Sequence, residues 1–143
     1  MKSFYISLVI GLFLSLTFFT AGAQSPKKPN ILFILADDLG RHQIGAYGST
    51  FYETPPIDKL AKNGLKFSNA YAASPVCSPT RASIMTGKHP ARLYLTDYIP
   101  GRSSKNSKLI TPEWKKELPL EEITIAEVLK DAGYATGHFG KWH

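Results

Sequence analysis

Three short stretches carry side chains able to do polar chemistry. Asp37 and Asp38 close an apolar run in Asp37-Asp38-Leu39-Gly40. Adjacent carboxylates repel, so keeping both ionised in a partly buried place calls for a cation, and hard oxygen donors suit Ca²⁺ or Mg²⁺. Taken singly, Asp-Asp-x-Gly also reads as ordinary turn chemistry. Cys77-Ser78-Pro79-Thr80-Arg81 sets a cysteine at a helix entrance, where the N-terminal dipole favours a thiolate or an anionic ligand. Arg81 falls on the first turn and can reach back to an oxyanion there. A small thiol buried at a helix entrance accounts for the same residues equally well. In Gly140-Lys141-Trp142-His143, Lys141 and His143 lie two apart on an extended segment and point the same way. Lys141 would then be a point charge for an anion and His143 a proton-transfer group. An exposed, charged strand end is the plainer reading of that pair.

The elements that must position these residues alternate. Residues 30–36 form a continuous apolar run, too short for a helix and β-branched enough for a strand buried on both faces. Thr54 as N-cap and Pro55 at the first position open a helix with Ile57, Leu60 and Ala61 on its buried face, and Gly64 stops it. Alternation over 65–71 predicts a second strand. A second helix starts at Pro79 with Ser78 as N-cap and ends at Gly87. Residues 88–119 hold no sustained period and several prolines, which reads as a long functional loop. Thr124 and Glu127 spell a capping box for a third helix with an apolar stripe of Ile125, Val128, Leu129 and Ala132, ended by Gly133. Residues 134–139 make a last strand. The alternation predicts an α/β fold with a largely parallel sheet flanked by helices. All three polar stretches then fall at the carboxyl end of that sheet, where open α/β folds bind ligands.

Composition narrows the classes. With 143 residues, a formal charge of +6, 43% hydrophobic and 20% charged residues, the chain is globular in character. A single cysteine excludes an internal disulfide framework, a cysteine zinc cluster and a CxxC redox pair. Basic residues gather in Lys88, Arg92, Arg102, Lys105, Lys108, Lys115 and Lys116. They read first as a solvated loop face and second as an attractor for an anionic substrate or polymer. No nucleic-acid motif accompanies them, so nucleic acid is a poor partner. Residues 1–23 have the layout of a signal peptide: Lys2, an apolar run from Phe4 to Phe19, and Ala21-Gly22-Ala23 at the cleavage point. The run is short for a membrane span, so the expectation is an exported, periplasmic or secreted protein with no anchor after cleavage.

Together the three stretches resemble the formylglycine-dependent sulfatases of the alkaline phosphatase superfamily. The resemblance rests on 29–40, on Cys77-Ser78-Pro79-Thr80-Arg81 with the trailing Thr86-Gly87, and on 133–143, in that order. It implies an alkaline-phosphatase-like fold and a sulfuric ester hydrolase, acting on sulfated carbohydrate or aryl sulfate. It further implies that a separate maturation enzyme oxidises Cys77 to formylglycine, an aldehyde that hydrates to a diol. One diol oxygen would join Asp37 and Asp38 on a divalent cation, usually Ca²⁺, and attack the sulfate sulfur. Lys141 would hold sulfate oxygens, Arg81 would stabilise the diol, and His143 would take the proton that lets the sulfated intermediate collapse. Within the same superfamily a phosphonate or phosphodiester hydrolase is the alternative, and an inactive anion-binding homologue with an unmodified Cys77 is a third. Members of this family are several times longer and bring an Asp-Asn pair, a further His and a further Lys from downstream. The resemblance therefore implies that 24–143 is the N-terminal part of a catalytic domain, truncated inside the third motif. In isolation it is expected to bind metal poorly, fold incompletely and turn over little substrate.

Overall fold

The computed structural model describes residues 27–102, 106 and 108–143. The proposed signal peptide lies outside the described residues. The chain divides into two units, Met1–Leu35 and Ala36–His143. In the first, Ile31, Leu32, Phe33 and Ile34 are exposed and form no regular element.

The second unit contains four helices among its described residues: α1 (Pro55–Asn63), α2 (Cys77–Thr86), α3 (Pro90–Leu93) and α4 (Ile125–Asp131). Two short 3₁₀ turns, Arg41–Gln43 and Gly45–Tyr47, precede them. The three predicted strands are not formed, and no strand occurs among the described residues. A strand exists only as part of a ladder, and an extended run without a lateral neighbour leaves its N–H and C=O groups to water. The exposure of Leu65, Phe67, Tyr71 and Phe139, the last at 95%, is that situation seen from the side chains. The largely parallel sheet expected from the alternation is thus absent from the described residues.

The helix signals fared differently. Helix α1 begins at Pro55 behind Thr54, as the sequence predicts. The Thr54 hydroxyl does not cap it. Instead it accepts from the Gly45 N–H at 2.8 Å and donates to Asp58 Oδ1 at 3.0 Å, while Asp58 Oδ1 also accepts from the Ala46 N–H at 2.6 Å. These bonds fasten the second 3₁₀ turn onto α1. Gly45 is required for that approach, because a Cβ there would stand 2.5 Å from the Asp58 carboxylate. The face expected to be buried is not: Ile57 and Leu60 are exposed, since the sheet that would cover them is missing from the described residues.

Helix α2 starts two residues earlier than predicted, at Cys77, with Val76 as N-cap and no side-chain cap. First-turn N–H groups have no intrahelical partner, so Pro79 is accommodated without loss of a bond. Ser78 is freed from capping; 1% exposed, its Oγ accepts the Ile99 N–H at 2.9 Å.

The region read as a loop supplies most of the core. His89 caps α3, its Nδ1 accepting from the Ala91 N–H, with Pro90 at the first position. Leu93 and Leu95 are fully buried against Ala82 of α2, and Leu118 and Trp142 pack onto them.

In α4 the capping box is present as the sequence spells it: Thr124 Oγ1 accepts from the Glu127 N–H, and Glu127 Oε2 accepts from the Thr124 N–H at 2.8 Å. The helix closes with Gly133 at φ 84°. The Gly133 N–H donates to the Lys130 carbonyl and the Tyr134 N–H to the Leu129 carbonyl, the left-handed termination that favours glycine. The apolar stripe is again largely uncovered, with Ile125 and Val128 exposed. The backbone and hydroxyl of Thr124 hold the Glu127 carboxyl below its ordinary 4.5. A depressed carboxyl stabilises above its ordinary value and loses that contribution as pH falls through the folded one. Acidification below about 4.5 should therefore loosen α4. Thr124→Ala should cost about 1 kcal/mol and shrink the acid step without abolishing it, because the backbone N–H of residue 124 still donates to Glu127. Amide exchange of Val128 to Ala132 measures both.

Candidate active site

Residues 37, 77, 81 and 141, far apart in the chain, meet at the N-terminal end of α2. Arg81 is 8% exposed, held by the turn of α2 that also places Ala82 in the core. One of its nitrogens donates to Asp37 Oδ1 at 3.1 Å and another to the Lys141 carbonyl at 2.7 Å. Lys141 Nζ donates to Asp37 Oδ2 at 2.6 Å and lies 3.4 Å from Cys77 Sγ. Cys77 Sγ in turn lies 3.6 Å from Asp37 Oδ1. One carboxylate thus gathers two cations and the thiol.

Charge follows from that geometry. Hydrogen bonds from Lys141 first and Arg81 second pull the Asp37 carboxyl from 3.8 down to about 2, with partial desolvation opposing them. Reciprocally, Asp37 and then Cys77 raise the Lys141 ammonium above its ordinary value. Because the Asp37 shift is downward, its ion pairs persist through mild acid and fail only as pH drops from 3.8 towards 2. Lys141→Met should raise the Asp37 titration towards 3.8, with Arg81 still holding it below, which carboxyl-detected NMR can follow.

The remaining sequence-predicted residues border the same place. Asp38, at φ 55°, occupies the left-handed region that aspartate tolerates better than most residues. It lines a cleft of about 270 Å³ together with Cys77, Ser78, Lys141 and His143. Lys141 and His143 do reach one cleft, and Trp142 between them turns the other way, onto the core. Tyr98 and Ile99, which the sequence reading left within the loop, line the cleft as well. The hint was only that long loops tend to be functional.

Among the described residues, Asp37, Asp38 and Cys77 form a group whose donor atoms all lie within 4.8 Å of one another. Two carboxylates are hard donors and a thiol is a soft one. The two carboxylates fit a hard divalent cation, and an oxygen in the place of Sγ would complete a hard donor set.

Residues 29–143 match the family model described as Sulfatase. The chain belongs to the sulfatase family. Over 120 residues it is 45% identical to N-acetylgalactosamine-6-O-sulfatase of Bacteroides thetaiotaomicron, covering 84% of this chain and 21% of that sulfatase. It is 42% identical to human arylsulfatase A, covering 86% and 22%, and 41% identical to human steryl-sulfatase, covering 86% and 20%. A crystal structure of a Bacteroides thetaiotaomicron protein assigned to the sulfatases superposes with a TM-score of 0.64 at 35% identity, over 80% of this chain and 22% of that one. The chain therefore spans about a fifth of the length of the sulfatases it matches.

Proposed function

We propose that this chain carries the nucleophile-bearing part of a sulfuric ester hydrolase, with Cys77 the residue converted to formylglycine. The observation that carries the reading is the convergence of Arg81, Lys141 and Cys77 on Asp37. Formylglycine, once formed, supplies a hydrated aldehyde able to attack sulfur and then expel sulfate. Asp37 and Asp38 would hold the divalent cation, Ca²⁺ or Mg²⁺, which supplies positive charge beside the transferring group.

The chain's own residues have defined tasks. Lys141, already within reach of position 77, binds sulfate oxygens through Nζ. Arg81 fixes the carboxylate of Asp37 and the backbone of Lys141 together, so that donor and metal ligand keep one spacing. His143 accepts a proton at a ring nitrogen from the hydroxyl at 77 as sulfate departs. The named relatives make sulfated sugars and aryl or steryl sulfates the substrate classes to try. The proposal includes export, with cleavage after Ala23.

Peptide mass spectrometry across Ser74 to Arg81, after co-expression with a formylglycine-generating enzyme, tests the reading without needing turnover. An aldehyde at 77, captured by hydrazide, is the expected result. A thiol that persists in every preparation would overturn it in favour of a non-catalytic homologue. N-terminal sequencing of exported protein, expected to begin at Gln24, tests the leader.

A further inference from the structure

Lys141 stands against position 77 with its chemistry only partly used. Its Nζ lies 3.4 Å from Cys77 Sγ and donates to Asp37 Oδ2 at 2.6 Å. Asp37 Oδ1 is 3.6 Å from the same Sγ, so one carboxylate faces both groups. Arg81 pins the backbone of this lysine, donating to the Lys141 carbonyl at 2.7 Å from α2, the helix that Cys77 begins. Beyond that anchor the Lys141 side chain is 43% exposed, which leaves its flexible stem free to adjust. Lys141 is also the lysine that lines the cleft with Cys77. An aldehyde at 77 has its carbon where Cβ is, one bond inside Sγ. A primary amine held that close to an aldehyde meets the proximity that Schiff-base formation requires.

We infer that Lys141 closes a reversible internal iminium cross-link with the aldehyde at 77, a latent form in which the aldehyde is shielded from stray amines and the lysine is withheld from sulfate. The inference rests on the proposed conversion of Cys77. Condensation joins Nζ to the aldehyde carbon and breaks the carbon–oxygen double bond. The oxygen leaves as water with two of the three ammonium protons, and the third stays on nitrogen. Ammonium and aldehyde thus give iminium and water, with the positive charge conserved and no oxidant or reductant consumed. Asp37 therefore keeps a cation beside it throughout, and this counterion favours the iminium as it favours the ammonium. Facing both Nζ and position 77, the same carboxylate can relay protons to the departing oxygen. Addition of water reverses the step and frees both groups.

The test is reductive trapping. The full chain, co-expressed with a formylglycine-generating enzyme, is treated with cyanoborohydride, which reduces an iminium to a stable secondary amine, and its digest is read by mass spectrometry. The expected product is the peptide containing residue 77 joined to the peptide containing residue 141. Its yield should not change on dilution, and should fall about tenfold or more when the chain is unfolded in guanidinium before reduction. Lys141→Arg keeps the cation but has no primary amine, so it should abolish the joined pair while hydrazide still captures the aldehyde. Asp37→Asn removes the counterion and should lower the yield about tenfold. An aldehyde that hydrazide captures but reduction never joins to Lys141, or joins equally to other lysines, overturns the inference and leaves the sulfatase reading in place. A thiol at 77 in every preparation overturns both.

Discussion

On the proposed sulfatase reading, Arg81→Lys should cost about two to three orders of magnitude in sulfate-ester turnover, with little change in the midpoint of thermal unfolding. The reason is the forked bond pattern. Arg81 reaches Asp37 Oδ1 and the Lys141 carbonyl with separate nitrogens, from a position almost shut off from solvent. A lysine keeps the charge but has a single head, and cannot hold both acceptors in one plane. Losing either bond lets Asp37 and Lys141 move apart, and both must face position 77 together. A readout independent of turnover accompanies it: the Asp37 carboxyl, now held at about 2, should rise part of the way to 3.8, because Lys141 remains the larger of its two hydrogen-bonding influences. Wild-type turnover in Arg81→Lys, with the Asp37 titration unmoved, would contradict this account.

Leu93→Ala is the second large effect, and it acts on stability. Ala82, Leu93 and Leu95 are the buried apolar residues of the described chain, so no larger core exists to absorb a cavity. Deleting most of a fully buried leucine costs about 2 to 5 kcal/mol, a large share of the stability that a core this small can supply. Thermal unfolding followed by circular dichroism measures it. The damage should also reach the site, because Ala82 sits beside Arg81 on α2 and Trp142 packs on the same cluster between Lys141 and His143. A loss below about 1 kcal/mol would show that Leu93 is not the support it is taken to be.

How much of this was legible in the residues depends on the range of the forces involved. Thr124 and Glu127 cap α4 and Pro55 opens α1 because those preferences are settled within one turn. Cys77, Arg81, Lys141, Asp37 and Asp38 could be picked out by side-chain chemistry and family resemblance, and the structure brings them to one place. The alternating strands were not realised among the described residues, since a strand depends on partners that its own sequence does not contain. The core around Leu93 and Leu95 was missed because α3 spans only Pro90–Leu93, too short to show a period. Its local signal was His89 followed by Pro90, a cap and a first-turn proline. Ser78 was misassigned as a cap because its true partner, Ile99, is distant in sequence.

Trp142 has one more use. It is one of two tryptophans in the chain, the other being Trp114 beneath Lys116. With Trp114→Phe in the background, the indole emission of Trp142 becomes a native optical gauge of whether the segment bearing Lys141 and His143 is seated on the core. Occupancy of the cleft can then be watched by light in the unlabelled protein.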